Sequence, residues 1–257
     1  MNNFLGEIVN GLTAKVFRTY HASNTVENYF SETVINDSDP EFMKKEVAVM
    51  ANREAAIICN HIKQEPKNWA NRIQKFRERK IKADERAAKD LTNQKNMETK
   101  LEEIKRKFDE QKNILNKQEL AWKEMTDNLK LTNNPNDGKT TKNEQEKMKK
   151  KIDTQKKNVV AAKKKLERLK NQLEKSKNRV GTAKEKVYKA KQALKQIESQ
   201  ERIAKNTKTW NLGTSLKSYI DPRIYYQWGK EVDYDWRNYY NAALQRKFSW
   251  IEREDES

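Results

Sequence analysis

The stretch IDTQKKNVVAAKKKLERLKNQL, residues 152–173, decides the fold of this chain. Ile152, Val159, Leu166 and Leu173 recur in it at intervals of seven residues. A repeat of this length places one narrow apolar seam along a helix and is typical of a coiled coil. Lysines fill many of the positions between the seam residues, so the rest of the helix surface is predicted to face solvent.

The same repeat runs through most of residues 67–205, on both sides of a polar break. Before the break, twelve of seventeen seam positions are apolar. They are Ile73, Phe76, Lys80, Ala83, Ala87, Asp90, Gln94, Met97, Leu101, Ile104, Phe108, Gln111, Leu115, Gln118, Trp122, Met125 and Leu129. After the break, the seam is completed by Met148, Gln155, Ala162, Leu169, Ser176, Val180, Ala183, Val187, Ala190, Leu194, Ile197 and Ala204.

The break itself, LTNNPNDGKTTKN at residues 131–143, contains the turn signals Asn-Pro and Asp-Gly. The arms on its two sides are nearly equal, at roughly 60 residues or about 90 Å each. Pairing between two chains is one solution for such arms. Equal arms around a single turn favour the other solution, an antiparallel hairpin within one chain.

The hairpin divides the chain of 257 residues into three predicted regions: 1–65, 66–206 and 207–257. About half of the aromatic residues lie in the last region, which predicts a small packed module rather than more coiled coil. The fold class is therefore predicted to be mainly α, with small helical segments joined by a long antiparallel coiled-coil hairpin.

Proline positions predict further helix boundaries in the two flanking regions. Asp39 is the predicted N-cap of a helix whose first residue is Pro40, and this helix is predicted to end at Glu65, before a proline. Asp221 and Pro222 repeat the starting pattern. The core-facing stripe of the earlier helix is predicted to consist of Met43, Val47, Met50, Ile57 and His61.

The charge of the chain favours a polyanionic partner. Its net charge is +17 and its pI is about 9.6. The arms carry roughly +20, so the flanking regions together are slightly acidic. A lysine-rich face is ordinary for the solvated outside of a coiled coil. It also suits a rod that lies beside a phosphate backbone without reading its sequence.

Composition disfavours several classes of protein and site. The single cysteine, Cys59, allows no intramolecular disulfide and agrees with a reducing compartment. No leader resembles a signal peptide and no apolar run approaches the ~20 residues of a membrane span, so an intracellular protein without a membrane partner is expected. Two histidines and six scattered glycines predict no metal site, no phosphate loop, no cofactor and no small-molecule substrate.

Three residues stand out as chemical candidates, although each has an ordinary structural explanation. Arg18 is one of many basic residues, and His61 on an apolar stripe is more often a buried histidine than a catalyst. Tyr219 is by default a packing tyrosine with an exposed hydroxyl. On these grounds alone, the chain would be interpreted as a non-catalytic basic coiled-coil protein that binds nucleic acid.

Three stretches change that interpretation. They are GLTAKVFRTYHAS (11–23), ANREAAIICNH (51–61), and LGTSLKSYIDPRI (212–224), which is followed by QRKFSWI (245–251). In this order, with a basic hairpin between the second and the third, the chain resembles the carboxy-terminal part of a eukaryotic-type (type IB) DNA topoisomerase I. The resemblance covers nearly the whole chain: the end of the catalytic core, the coiled-coil linker and the tyrosine-containing C-terminal domain. A tyrosine recombinase would share the chemistry, but the coiled-coil linker argues against it.

The resemblance implies a role for each candidate. Tyr219 would be the nucleophile, and His61 and Arg18 would complete part of the active site. Contacts to DNA are implied for Lys15, Thr214 and Lys217. The implied reaction relaxes supercoiled duplex DNA in the nucleus through a 3′-phosphotyrosyl intermediate and religation, without ATP or metal.

Two departures from the family pattern accompany the resemblance. The family site also contains a further arginine and a lysine, in segments that precede the part matched here, so a complementary core segment or subunit is the expected partner. The Ser-Lys-x-x-Tyr pattern of the family appears here with Leu216 and Lys217 exchanged, and Ser218 stands where an asparagine is common.

Overall fold

The computed structural model describes residues 2–132 and 142–255. Within these ranges the chain forms nine α-helices, one short 3-10 helix and no β-strand, so the mainly α prediction is confirmed. The helices are α1 (Asn2–Ile8), α2 (Ala14–Glu32), α3 (Glu41–Ile58), α4 (Trp69–Thr132), α5 (Lys142–Thr207), α6 (Leu212–Ser218), α7 (Pro222–Glu231), α8 (Ala242–Phe248) and α9 (Trp250–Asp255). The 3-10 helix is Trp236–Tyr239.

The chain divides into two compact units. We call residues 1–84 with 192–257 the core unit, and residues 85–191 the hairpin unit. The core unit contains α1–α3, α6–α9 and the outer ends of the two long helices. The hairpin unit contains the rest of α4 and α5.

The hairpin unit confirms the predicted seam. Each seam position in the described part of α4 and α5 is buried or half-buried, as a heptad repeat requires. Lys163 pairs with Glu119 at 2.8 Å and Lys184 pairs with Glu98 at 3.5 Å, so the partner residue number falls along α4 as it rises along α5. The two helices therefore run antiparallel. The predicted turn at 131–143 falls mostly on residues outside the described ranges.

One continuous apolar cluster holds the core unit together. It joins side chains of α2 and α3 to the aromatic residues of the C-terminal helices. Trp228 of α7 stacks on Phe30 of α2, with ring centroids 4.4 Å apart, and the fully buried Tyr225 donates a hydrogen bond to the Ala48 carbonyl of α3 at 3.0 Å. The C-terminal aromatic residues are thus packed, as predicted, and much of their packing is against the first region of the chain.

The predicted limits of α3 are wrong at both ends. Pro40, with an extended ψ of 140°, occupies the N-cap position, while the Asp39 carboxylate instead accepts a hydrogen bond from the Asn36 N–H at 2.8 Å. The helix ends at Ile58 because Asn60 adopts a left-handed φ of 55°, a conformation that an asparagine tolerates and that stops a helix. Local asparagine geometry therefore ends the helix before the downstream proline can.

The predicted core stripe of α3 is correct only in part, because Val47 packs half-buried against the apolar cluster whereas Met43 is exposed. The apolar residues that α3 buries are mostly small, and they include Ala48, Ala51, Ala55 and Ala56. Such small side chains let the backbone of α3 approach the elements that pack against it closely. His61 does not lie on the helix at all.

The helix signals after Tyr219 are confirmed. Pro222 is the first residue of α7, and the Asp221 side chain caps the helix by accepting a hydrogen bond from the Arg223 N–H at 3.0 Å. The side chain of Arg223 also pairs with this carboxylate, and these interactions lower the pKa of Asp221 although burial opposes the shift. None of the described helices combines the length and apolar character needed to cross a membrane.

Candidate active site

Tyr219 stands at the bend between α6 and α7. Its N–H donates to the Ser215 carbonyl at 2.9 Å, which closes the last turn of α6. Ser23 of α2 bridges the bend: its hydroxyl lies 3.4 Å from the Tyr219 carbonyl and accepts the Asp221 N–H at 3.0 Å. The tyrosine ring is half-buried against the apolar cluster. Both sides of Tyr219 are thereby attached to the rest of the core unit.

His61 lies in the segment that follows α3, and its backbone is held on two sides. Its N–H donates to the Ala56 carbonyl at 2.8 Å, and its own carbonyl accepts the Asn211 N–H at 2.7 Å. The imidazole Nδ1 is 2.8 Å from the Ser215 hydroxyl oxygen. The ring centroids of His61 and Tyr219 are 5.0 Å apart, with a tilt of 48°.

Two cationic side chains of α2 approach the same tyrosine. The guanidinium carbon of Arg18 and the ammonium nitrogen of Lys15 are each 5.9 Å from the centroid of the Tyr219 ring. Both residues lie on the exposed side of α2, three positions apart, so they share one helix face. The three residues predicted to be catalytic, and Lys15, therefore occupy one place on the surface of the core unit.

Burial and positive charge decide the charge state of the histidine. Burial lowers the pKa of His61, and the nearby Arg18 guanidinium lowers it further. The imidazole is therefore neutral at neutral pH. Burial also raises the pKa of the Cys59 thiol, against a smaller opposing effect of Arg18, so this cysteine is a protonated core residue.

Thr214 and Lys217 lie on α6 but outside this group of contacts. Thr214 is half-buried and Lys217 is exposed, and neither side chain makes a hydrogen bond to another described residue. Leu216 is 7% exposed and belongs to the apolar cluster. The exchanged Leu216–Lys217 pair thus follows the two sides of α6: the leucine faces the core and the lysine faces solvent.

Three polar residues that the sequence did not single out build the surroundings of the site. They are Ser23, Ser215 and Asn52. Asn52 is fully buried, and its amide nitrogen donates to the Leu212 carbonyl at 3.1 Å and to the Tyr239 hydroxyl at 2.8 Å, so it attaches the start of α6 to α3. A signal was present for Ser215, because it precedes Tyr219 by one helical turn. Asn52 lies in the same block as His61, next to Arg53 and Glu54, so nothing in the sequence marked it as buried.

The chemical capacity of the site follows from these groups. A phenol is positioned beside a neutral imidazole and two cations, which suits attack on an anionic phosphate more than hydrolysis of a neutral substrate. In residues 2–132 and 142–255, no group of three or more His, Cys, Asp or Glu side chains could hold a metal ion.

Comparison with known proteins gives two family matches, one at each end of the chain. Residues 1–95 match the family model of the eukaryotic DNA topoisomerase I catalytic core. Residues 191–257 match the model of the C-terminal topoisomerase domain. The two matches flank most of the hairpin unit.

Individual relatives agree with the family matches. The chain is 27% identical to DNA topoisomerase 1 of Drosophila melanogaster over 97% of its length and 17% of the relative. It is 28% identical to DNA topoisomerase 1 beta of Arabidopsis thaliana over 97% of its length and 20% of the relative. It is 28% identical to DNA topoisomerase 1 of Homo sapiens over its whole length and 25% of the relative. The chain spans a quarter or less of the length of these relatives. It belongs to the eukaryotic (type IB) DNA topoisomerase I family and corresponds to the C-terminal region of its members.

Proposed function

We propose that this chain supplies Tyr219, His61 and Arg18 to the active site of a type IB DNA topoisomerase, which relaxes supercoiled duplex DNA by transient cleavage of one strand. The observation that carries the proposal is the convergence of the three side chains. They come from α2, the segment after α3 and the end of α6, yet the imidazole and guanidinium lie within 5.0 and 5.9 Å of the Tyr219 ring centroid.

The proposed first step is attack of the Tyr219 oxygen on a DNA phosphorus atom. The Tyr219 hydroxyl loses its proton to solvent as a bond forms between its oxygen and phosphorus. The bond from phosphorus to the 5′ oxygen breaks, and the leaving 5′ oxygen takes up a proton. The product is a 3′-phosphotyrosyl link. The link remains a phosphodiester, so attack by the 5′ hydroxyl reverses the step and reseals the strand without ATP.

Arg18 and His61 would act on the nonbridging oxygens of the phosphate. Negative charge concentrates there as the phosphorus becomes five-coordinate, and donors fixed in advance stabilise that charge. Arginine stays protonated and presents a planar fork of N–H groups to phosphate oxygens. A neutral imidazole can add a single N–H donor.

The activity of the whole enzyme would need further segments of the catalytic core. The resemblance implies an additional arginine and a lysine that donates the proton to the leaving 5′ oxygen, and we propose that a complementary core segment or subunit carries them. Exposed apolar side chains on α1 and α2 support such a partner. They include Phe4 at 63%, Val16 at 48%, Phe17 at 47% and Tyr20 at 65% exposure.

Duplex DNA is the proposed substrate and partner, and the nucleus is the proposed location. The charge of α5 supports this: it has 22 lysines and arginines against 8 acidic residues. Many of these lysines are exposed on the outer faces of the coiled coil. Such a surface attracts a phosphate backbone through a salt-dependent and sequence-independent interaction.

The decisive experiment combines this chain with a core segment from a relative and measures relaxation of supercoiled plasmid without ATP or magnesium. Tyr219→Phe should lower the rate by more than about 1,000-fold and abolish the covalent protein–DNA adduct, because no nucleophile remains. Tyr188→Phe, on the exposed face of α5, is the control and should relax plasmid at the unmodified rate.

Two results would contradict the proposal. Relaxation and adduct formation that persist in Tyr219→Phe would exclude this residue as the nucleophile. Salt-sensitive DNA binding without any adduct in the unmodified combination would favour a non-catalytic basic coiled-coil protein instead.

A further inference from the structure

We infer that Ser215 is a positioning residue that fixes the proton of the neutral His61 ring on Nε2, leaving Nδ1 as an acceptor. An imidazole with this tautomer presents its only N–H on the side away from Ser215. If the proposed function holds, this Nε2–H is the group that donates a hydrogen bond to the DNA phosphate. That role rests on the proposed function, whereas the position of the proton does not.

The first observation is the isolation of the Ser215 hydroxyl. Ser215 is 0% exposed, so its hydroxyl is out of contact with bulk solvent. Its oxygen lies 2.8 Å from Nδ1 of His61, and among the described residues it forms no other side-chain hydrogen bond. The backbone carbonyl of Ser215 is engaged separately, since it accepts the N–H groups of Tyr219 and Ile220.

The direction of this hydrogen bond follows from burial. A serine hydroxyl has one hydrogen to donate, and a buried donor is nearly always paired. If Nδ1 carried the proton and donated to Ser215, the serine hydrogen would have no acceptor within the described part of the chain. If the serine donates to Nδ1, both groups are satisfied, and the imidazole proton must then be on Nε2.

The surroundings of His61 keep the ring neutral, which is why the position of a single proton matters. Arg18 is the charged group that acts on the imidazole, Lys15 lies beside the same tyrosine ring, and Cys59 is an uncharged thiol. Positive neighbours and burial both disfavour a second proton on the ring. A neutral imidazole has one N–H, so its tautomer decides whether it can donate away from Ser215.

The position of Ser215 also joins the histidine to the proposed nucleophile. Ser215 precedes Tyr219 by one turn of α6, and the Tyr219 N–H donates to the Ser215 carbonyl at 2.9 Å. One residue thus holds the imidazole through its side chain and the tyrosine through its backbone. A shift of α6 would therefore move the Ser215 hydroxyl, which orients His61, together with the proposed nucleophile Tyr219.

The test is nitrogen-15 NMR of the histidine rings in the full chain, without DNA and without a core segment, at a pH well above the His61 pKa. We expect Nδ1 of His61 to resonate in the range of an unprotonated ring nitrogen and Nε2 in the range of an N–H. His21, exposed on α2, is the internal reference for a ring that exchanges between tautomers.

Three variants sharpen the measurement. Ser215→Ala removes the donor and should move both His61 resonances toward the averaged values of His21, whereas Ser215→Thr keeps a hydroxyl and should preserve the unmodified pattern. Ser199→Ala controls for the loss of a buried serine hydroxyl elsewhere in the core unit and should leave the His61 resonances unchanged.

A proton found on Nδ1 in the unmodified chain would overturn the inference, and so would Ser215→Ala resonances identical to those of the unmodified chain. Because the first of these needs no variant, the inference stays testable even if Ser215→Ala does not fold. The NMR result is independent of DNA cleavage. It can fail while Tyr219→Phe still abolishes relaxation, and it can succeed while relaxation persists in that variant.

Discussion

The core unit and the hairpin unit use different means to become stable. In the core unit, buried side chains from α2, α3 and the C-terminal helices form one cluster in three dimensions. In the hairpin unit, burial follows a single seam between two helices, with a small cluster at Leu115, Val159 and Ala162. A seam fixes the register of two helices, whereas a three-dimensional cluster can hold several side chains at set distances. The candidate active site lies in the core unit, where a three-dimensional cluster holds the side chains in place.

Charge contributes differently to the two units as well. The ion pair of Lys163 and Glu119 in the hairpin unit joins side chains that are 57% and 39% exposed, and such exposed pairs contribute about 0–1 kcal/mol. The stability of the hairpin unit therefore rests on the seam and on helix propensity. Most of its lysines are exposed and so remain accessible to a partner.

The largest expected difference between the units concerns large-to-small substitutions. Trp228→Ala should lower the free energy of unfolding by about 4 kcal/mol, because it removes a 4%-exposed ring stacked on Phe30. Leu115→Ala should lower it by only about 2 kcal/mol, because a two-helix seam can close around the gap. Urea denaturation followed by circular dichroism measures both values.

Amide hydrogen exchange gives the matching local measurement, since it reports stability segment by segment. Trp228→Ala should reduce protection across α2, α3 and α7 together, because one cluster joins them. Leu115→Ala should reduce it only over the neighbouring turns of the seam. Equal and widespread loss of protection in both variants would show that the seam of the hairpin unit is as cooperative as the apolar cluster of the core unit.

Two glycines provide an intermediate test with opposite expected signs. A Cβ at Gly229 would lie 2.5 Å from the Tyr234 carbonyl oxygen, so Gly229→Ala should destabilise the core unit by about 2–3 kcal/mol through forced backbone movement. At Gly181, in the middle of α5, a Cβ would meet nothing within 4 Å, so Gly181→Ala should stabilise the helix by up to about 1 kcal/mol.

Thermal unfolding of the two alanine variants checks these signs under one set of conditions. A lower midpoint for Gly229→Ala and a higher helix stability for Gly181→Ala are expected. A stabilising Gly229→Ala would show that the backbone near Tyr234 moves easily, and the core unit would then be less tightly packed than its distances indicate.

The contrast between the units also explains how far the sequence alone could lead. The seam was predictable because a repeat of seven needs only one dimension, and the start of α7 was predictable because Asp221 and Pro222 act within one turn. The stripe of α3 was predicted only in part because large apolar side chains were favoured, whereas most apolar residues that α3 buries are small, such as Ala48, Ala51 and Ala55.

The candidate site was predictable by resemblance and not by local pattern. Arg18, His61 and Tyr219 come from distant segments, and their approach depends on tertiary contacts that no spacing encodes. His61 was expected on a helix face, but the helix ends before it because Asn60 adopts a left-handed conformation. Ser215 was visible in the sequence only as part of a motif, because its partner is 154 residues away.

Tyrosine ionisation gives the smallest expected difference between the units. Burial, followed by the carboxylates of Glu41 and Asp235, raises the pKa of Tyr234 to about 12, and burial also raises the pKa of Tyr225 well above its usual value. An unfolded phenol ionises near pH ~10, so above this pH the unfolded chain releases protons that the folded chain keeps. The core unit should therefore be stable below about pH 10 and lose stability as the pH rises further.

Tyr234→Phe isolates one such contribution, because the Tyr234 hydroxyl is buried and forms no hydrogen bond within the described part of the chain. At neutral pH the variant should match the unmodified chain or exceed it slightly in stability. At about pH 11 it should be more stable by about 1 kcal/mol, since its folded and unfolded states no longer differ in proton binding at this position.

Tyr188→Phe, which replaces the 62%-exposed tyrosine of the hairpin unit, should change stability at neither pH. Urea denaturation at the two pH values gives these differences, and an equal alkaline effect of both substitutions would mean that burial in the core cluster does not hold the Tyr234 proton.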